Sequence, residues 1–246
     1  MSNAPPSLGQ YAEAYDQPFC GSPIRREVWQ IADRIFSRGM RLVDIGCGTG
    51  EDAIHFARRG IDVTAIDVSP AMIAQVKLKS GGSVRCKLAD MRTCAVEDIF
   101  DGVFSNFSAP NYVPDLDWLG QIRLTAGAHL VFTTLGRFYP LESAVFTFKG
   151  QPCRAFRRFK PSVRGEINGE NFDVYYHSLR KILNALGRGV HLKKVLGLRA
   201  LRPHARAGAP RAIRSSQCCQ TNGSLVVFPP PDGRARGSIR FRMADA

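Results

Sequence analysis

The sequence predicts an α/β domain whose mostly parallel sheet is assembled from strand–turn–helix units, and three observations predict it. The apolar run Leu42, Val43 and Ile45 stops at three glycines spaced two apart, Gly46, Gly48 and Gly50, and Ala53, Ile54 and Ala57 then follow at helical spacing. A buried strand, a tight turn and a helix in that order are the first half of a βαβ unit. The pattern recurs at residues 61–66, an apolar run closed by Asp67 and followed by Ser69-Pro70, a good N-cap and a good first helical residue. Two more short apolar runs, 83–88 and 100–106, end in polar or acidic residues. A chain of 246 residues with 44% apolar and 22% charged content suffices for one such domain and an added lobe.

Taken in order, residues 1–21 read as an N-terminal cap in which Tyr11 and Tyr15 lie four apart on one helical face. Ser22-Pro23 opens a helix whose apolar stripe (Ile24, Val28, Ile31, Ala32, Ile35) is read as core, not site. The third strand, 83–88, ends at Ala89-Asp90-Met91. The fourth, 100–106, leads into the loop 107–112, residues 113–118 start a short helix, and 128–135 make a fifth buried strand. Residues 136–172 read as an inserted lobe: 145–148 alternate, Lys149-Gly150 and Asn168-Gly169 are turn signals, and Arg154, Arg157, Arg158 and Lys160 interleave with Phe156 and Phe159. A return strand at 172–177, a helix over 179–186 capped by Ser178, and a sixth sheet strand within 191–201 complete the domain, placed at 22–201. Residues 225–228 are the one candidate for a final strand, limited by the prolines at 229–231. From Arg202 the chain is rich in Arg, Ala, Gly and Pro without periodicity, so 202–246 reads as an atypical basic tail, either an unstructured extension or a shifted reading frame.

A Gly-rich turn ahead of a helix can hold a dinucleotide, whose fingerprint is G-x-G-x-x-G with the pyrophosphate on the helix N-terminus. Here the spacing is G-x-G-x-G, and Asp44, Glu51 and Asp52 surround it. Three carboxylates repel a pyrophosphate and suit a ligand carrying positive charge.

Asp44 to Gly50 resembles the D/E-x-G-x-G-x-G motif of the class I S-adenosylmethionine-dependent methyltransferases, and the later landmarks fall in that family's order across residues 41–135. The resemblance implies a Rossmann-like fold, a seven-stranded mostly parallel sheet flanked by helices, with a small lobe inserted after the fifth strand and governing substrate choice. It implies S-adenosyl-L-methionine as cofactor, a ligand with a sulfonium and an ammonium group. It assigns Asp44, Gly46, Cys47, Gly48 and Gly50 to the cofactor turn and Asp67, Val68 and Met72 to the ribose region. The same resemblance implies that Asp90 accepts from the adenine amino group, that the Met91 backbone meets the ring, that Asn106 ends the fourth strand beside the cofactor, and that Tyr15 folds over it.

Methyl transfer from a sulfonium needs mainly alignment, and a general base only when the acceptor must lose a proton. Cofactor binding therefore leaves a sequence trace where catalysis does not, and the acceptor-side candidates are His177, Tyr112 and Asn111. After Asn106 stands Phe107-Ser108 in place of an N/D-P-P-aromatic motif, which favours a small-molecule acceptor over nucleic acid. The net charge of +13 points to RNA as the second reading, although the stretch from Arg199 onward carries nine arginines against two acids. A cofactor-binding protein with little transferase activity is the third. Seven cysteines with no C-x-x-C pair, no apolar run long enough to span a membrane and no leader pattern are read as reduced thiols in a cytoplasmic monomer or homodimer without a metal site.

Overall fold

In the computed structural model, residues 22–93, 97–107, 109–137, 140–167, 170–187, 190, 192–197 and 223–228 are described. Helix α1 (Pro23–Ala32) precedes β1 (Arg41–Ile45), α2 (Glu51–Arg58), β2 (Asp62–Asp67), α3 (Pro70–Ser80), β3 (Arg85–Leu88) and β4 (Ile99–Ser105). Two 3-10 turns, Ala109–Tyr112 and Asp117–Gln121, lead to β5 (Arg123–Leu135). The lobe follows as α4 (Pro140–Phe148), α5 (Pro152–Ala155) and a hairpin, β6 (Val163–Ile167) with β7 (Glu170–Val174). Helix α6 (Leu179–Leu186) and strands β8 (Lys194–Gly197) and β9 (Gly223–Phe228) complete the chain.

The sheet order is β3-β2-β1-β4-β5-β9-β8. The first five strands are parallel, and β9 lies antiparallel between β5 and β8. Leu130 to Leu135 pair in register with Phe228 down to Gly223. The predicted boundary at 201 therefore needs correction: residues 223–228 belong to the sheet, and the expected final strand at 225–228 makes up the last four residues of a six-residue one. Of the expected strand at 191–201, Lys194–Gly197 is seen. The remaining tail, like Tyr11 and Tyr15, lies outside the described residues.

Alternate side chains of each strand enter opposite faces of the sheet, as the pleat requires. On one face Leu42, Val63, Phe104 and Val131 pack with Val28, Ala32, Phe36 and Phe56. The rings of Phe36, Phe56 and Phe104 meet edge to face, Phe56 and Phe104 at 4.8 Å. Gly102 makes this packing feasible, because a Cβ there would lie 2.5 Å from the Phe36 ring. On the other face Val43, Ile66, Val103 and Phe132 pack with Trp118, Leu119, Ile182 and Leu186.

The lobe differs from its sequence pattern. Residues 145–148 alternate yet lie in helix α4, with Phe146 buried and Phe148 90% exposed. Four residues of alternation do not resolve strand from helix, and the Lys149-Gly150 stop ends either. Ile167 pairs with Glu170 in the hairpin, and the Asn168-Gly169 turn signal itself lies outside the described residues.

Candidate active site

Sheet order places β1 beside both β2 and β4, so the strand order reverses about β1 and a crevice opens at the carboxyl ends of these parallel strands. Ile45, Asp67 and Ser105 end the three strands there. The turn after β1 holds Gly46, Gly48 and Gly50 at φ 69°, 54° and 82°, a left-handed conformation that disfavours other residues. Gly46 is doubly required, because a Cβ would come within 2.4 Å of the Ala109 Cβ and 3.6 Å of the Met91 methyl. The loops after β3 and β4 thus close against the turn, bringing the Met91 methyl beside Gly46.

Asp67 organises the turn from the next strand. Its Oδ2 accepts from Gly48 N and its Oδ1 from Ser69 N, both at 2.9 Å. Each oxygen keeps a lone pair for a further donor. Burial pushes the Asp67 carboxyl up, and the backbone donors at Ser69, Gly48 and Val68 pull against it. Ser69 caps α3 by accepting from Met72 N at 3.4 Å; Met72 is buried beneath and Val68 is 41% exposed beside it.

Asp44 is the most unusual group. Only 1% exposed, it has an Oδ2 without a hydrogen-bond partner among the described residues. Burial raises its pKa well above the usual carboxylate value; the charges of Asp52 and Asp67 push the same way and Arg25 opposes them. The neighbouring Cys47 thiol is buried and raised for the same reasons, burial first and then Asp44, so it is an inert packing group.

The carboxylates that converge differ from the three expected. Glu51 turns away and pairs with Lys79 at 2.7 Å. Asp52 is buried instead: its Oδ1 accepts from Trp29 Nε1 at 2.7 Å, and Asn106 Nδ2 lies 3.3–3.4 Å from both its oxygens. Asn106 Oδ1 accepts in turn from Phe107 N and Thr133 Oγ1. Arg25 Nε stands 3.7 Å from Asp52 Oδ1, with both side chains buried. Helix α1, expected to be core, therefore sends Arg25 and Trp29 to the cofactor turn. The signal was readable: Arg25 shares the spacing of the buried Val28, Ala32 and Phe36, one charge on an apolar face.

Asp90 is already engaged. Arg92 Nε lies 3.0 Å from both its oxygens, Nη2 donates to Oδ2 and the backbone N to Oδ1, holding the carboxyl below its ordinary range. Any adenine contact there shares this carboxylate with a guanidinium.

The acceptor-side candidates are placed as supports. Asn111 is wholly buried; its amide donates to Leu135 O and Tyr175 O and accepts from Leu135 N. His177 Nε2 lies 3.0 Å from both Pro110 O and Val113 O, so it is protonated and donating, and burial holds the ring neutral. Tyr112 packs on Phe172 at 5.4 Å. All three tie the loop after β4 to the lobe's return strand.

A family model described as "Methyltransferase domain" matches residues 42–125. Magnesium-protoporphyrin O-methyltransferase of Rhodobacter capsulatus is 37% identical over 99 residues, 40% of this chain and 41% of that protein. Ubiquinone biosynthesis O-methyltransferase of Xanthomonas campestris pv. campestris (strain B100) is 34% identical over 128 residues, 47% of this chain and 51% of that protein. The chain thus spans about half the length, or less, of the curated relatives it matches. In fold it is similar to N-methyltransferase NodS from Bradyrhizobium japonicum WM9 in complex with S-adenosyl-L-homocysteine, with a TM-score of 0.57 at 15% identity over 92% of this chain and 100% of that one.

Proposed function

We propose, from the premise that this chain belongs to the class I S-adenosylmethionine-dependent methyltransferases, that it transfers the methyl group of S-adenosyl-L-methionine to a small-molecule acceptor. The observation that carries the reading is Asp44, a buried carboxylate with an unpartnered oxygen at the end of β1, in the combined field of Asp52 and Asp67. Such a cluster is costly unless a cation meets it, and a phosphate there would be repelled. The residues present fit a cofactor with a positively charged end and a ribose.

In this reading Asp67 uses its remaining lone pairs on the two ribose hydroxyls, while its bonds to Gly48 and Ser69 hold the turn at the matching distance. Gly46 and Gly48 bring bare backbone to the ligand, and Met91 and Val68 border it. The bound cofactor supplies a methyl group activated by the sulfonium. What the chain adds is alignment, which supplies roughly 7–11 kcal/mol in well-oriented reactions. No base is assigned: His177 donates its Nε2 proton to two carbonyls, and the Asn111 amide is consumed by backbone groups. An acceptor atom that is already nucleophilic, or that loses its proton to water, suits this arrangement.

The O-methyltransferase relatives support a small-molecule acceptor. The exposed rings of Phe156 and Phe159 beside Lys160 favour RNA as the second reading. Among the described residues no helix is long and apolar enough to cross a membrane.

Thermal unfolding with S-adenosylmethionine, S-adenosylhomocysteine and NAD tests the cofactor. A ligand at 100 times its Kd adds about 2.7 kcal/mol, so the first two shift the midpoint upward and NAD does not. No shift with any of them refutes the reading. Methyl transfer that requires RNA and collapses with added salt transfers the assignment to the second reading.

A further inference from the structure

We propose that the lobe carries a docking surface for an anionic lipid membrane, formed by Phe156, Phe159 and Lys160 together with Phe148, and that the chain meets the membrane there from one side without spanning it. The inference concerns the outside of the lobe and stands independently of the cofactor reading.

The segment has the wrong polarity for water. In the 3-10 turn Arg157–Phe159, Arg158 is only 4% exposed; its Nη1 donates to Gly136 O at 3.0 Å and its guanidinium carbon lies 5.1 Å from the centre of the Tyr176 ring. Arg157 folds back over the Phe146 ring at 5.7 Å. Phe156 and Phe159 flank the two arginines, yet they are 58% and 53% exposed, and their rings adjoin at 6.3 Å. Side chains three apart eclipse across a 3-10 turn, so the two rings project together. On α4, Phe148 is 90% exposed and Val145, one turn before it, 40%. Single apolar residues on a surface are ordinary. A turn that tucks in its charges and projects its rings is not, and it suits a face that meets hydrocarbon.

Charge decides the occupant. From residue 143 to 165 the sequence carries Lys149, Arg154, Arg157, Arg158, Lys160 and Arg164 and no acid. Lys149, Lys160 and Arg164 are exposed. A second copy of the chain would set like charges against each other. An anionic bilayer answers both features: the rings enter the boundary between headgroups and acyl chains, and the lysine heads stay among the lipid phosphates and carboxylates. RNA is matched less well. A base held between two rings needs them parallel and about 7 Å apart, twice the contact distance. Phe156 and Phe159 are tilted by 44° at 6.3 Å, and Val145 has no π face on which a base could stack.

The test is co-sedimentation of the full chain with vesicles of phosphatidylcholine alone and of phosphatidylcholine with about one-third phosphatidylserine, with polyuridylate as the RNA arm. The wild type is expected to favour the anionic vesicles by about tenfold or more. Phe148→Ser/Phe156→Ser/Phe159→Ser, at exposed positions, keeps the thermal midpoint within about 2 °C and lowers anionic-vesicle binding by about tenfold or more. Lys149→Gln/Lys160→Gln lowers it by about tenfold. If the triple variant melts early, Phe148→Ser alone is expected to lose about threefold. The nine arginines from Arg199 onward could attract anionic vesicles by charge alone, but that attraction ignores the rings. Binding undiminished by the serine variants therefore overturns the proposal, as does a wild type that binds no vesicles or binds both kinds equally. Capture of polyuridylate that depends on the three rings, by a chain that ignores vesicles, overturns it in favour of RNA.

Discussion

Asn111 offers the sharpest division between a catalytic and a structural role. Its backbone carbonyl accepts from Tyr175 N at 2.8 Å, a bond that any substitution keeps. Its side chain makes three more, donating to Leu135 O at 3.1 Å and Tyr175 O at 2.5 Å and accepting from Leu135 N at 2.8 Å. These bonds join the loop after β4, the end of β5 and the strand returning from the lobe. Replacing Asn111 by Ala strands three backbone groups at a site that is 0% exposed. Each unmet buried group costs about 1–3 kcal/mol, and water admitted to the vacated space recovers part, so the loss is about 3–5 kcal/mol. Against a typical total of about 5–15 kcal/mol this is a large fraction. At about 2–4 °C per kcal/mol for a chain of this size, the thermal midpoint falls by about 10 °C. Asn111→Asp is as severe at neutral pH, since it aims a carboxylate oxygen at two carbonyl oxygens. Thermal and urea unfolding of the three proteins, with turnover measured on the folded fraction, decides the matter. An Ala variant that melts within about 2 °C of the wild type but has lost turnover refutes the structural account and returns Asn111 to the acceptor site.

Two further outcomes follow from the same geometry. Gly46→Ala combines a left-handed φ with a Cβ 2.4 Å from that of Ala109, whereas Gly81→Ala has a φ of 56° with nothing within 4 Å. Urea midpoints should show about 1 kcal/mol lost at Gly81 and more than about 2 kcal/mol at Gly46, and equal losses would refute the crowding at the turn. The Asp44 carboxyl is raised in the folded chain by burial first, then by Asp52 and Asp67 against Arg25. The folded state therefore holds this proton more tightly than the unfolded state does. The contribution to stability is full below the unfolded value of about 3.9 and is lost as pH rises through the raised folded value. A cationic ligand needs the ionised form, so its affinity runs the other way and increases with pH across that window. Asp44→Asn is expected to flatten the part of the affinity–pH profile that Asp67 does not supply; an unchanged profile would exclude Asp44 from the ligand's charged end.

The cofactor half of the fold was legible because its constraints are local. A strand buried on both faces must be apolar, a left-handed turn must be glycine, and a helix start must be capped, so residues 41–80 announce their structure at short range. Asp67 was legible for the same reason, as an acid closing a strand. The acceptor side was not, since Asn111, Tyr112 and His177 look like chemistry in sequence, and only their partners, 24 to 67 residues away, show amides and imidazole spent on backbone groups. The final strand was legible only as a short candidate at 225–228, for a related reason. Residues 223–228 pair with β5 and β8 at a sequence distance no local period can report, and the surrounding composition masked them. Most telling is the charge at the turn. The sequence by itself determined that carboxylates surround the glycines, because their spacing is covalent. Only the tertiary structure decided which of them face the crevice: Lys79 draws Glu51 away, Trp29 and Asn106 hold Asp52 in place, and Arg25 arrives from a helix that periodicity assigned to the core. Burial selects among like charges by the partners that the fold brings within a few ångströms, and those partners are set by packing rather than by position along the chain.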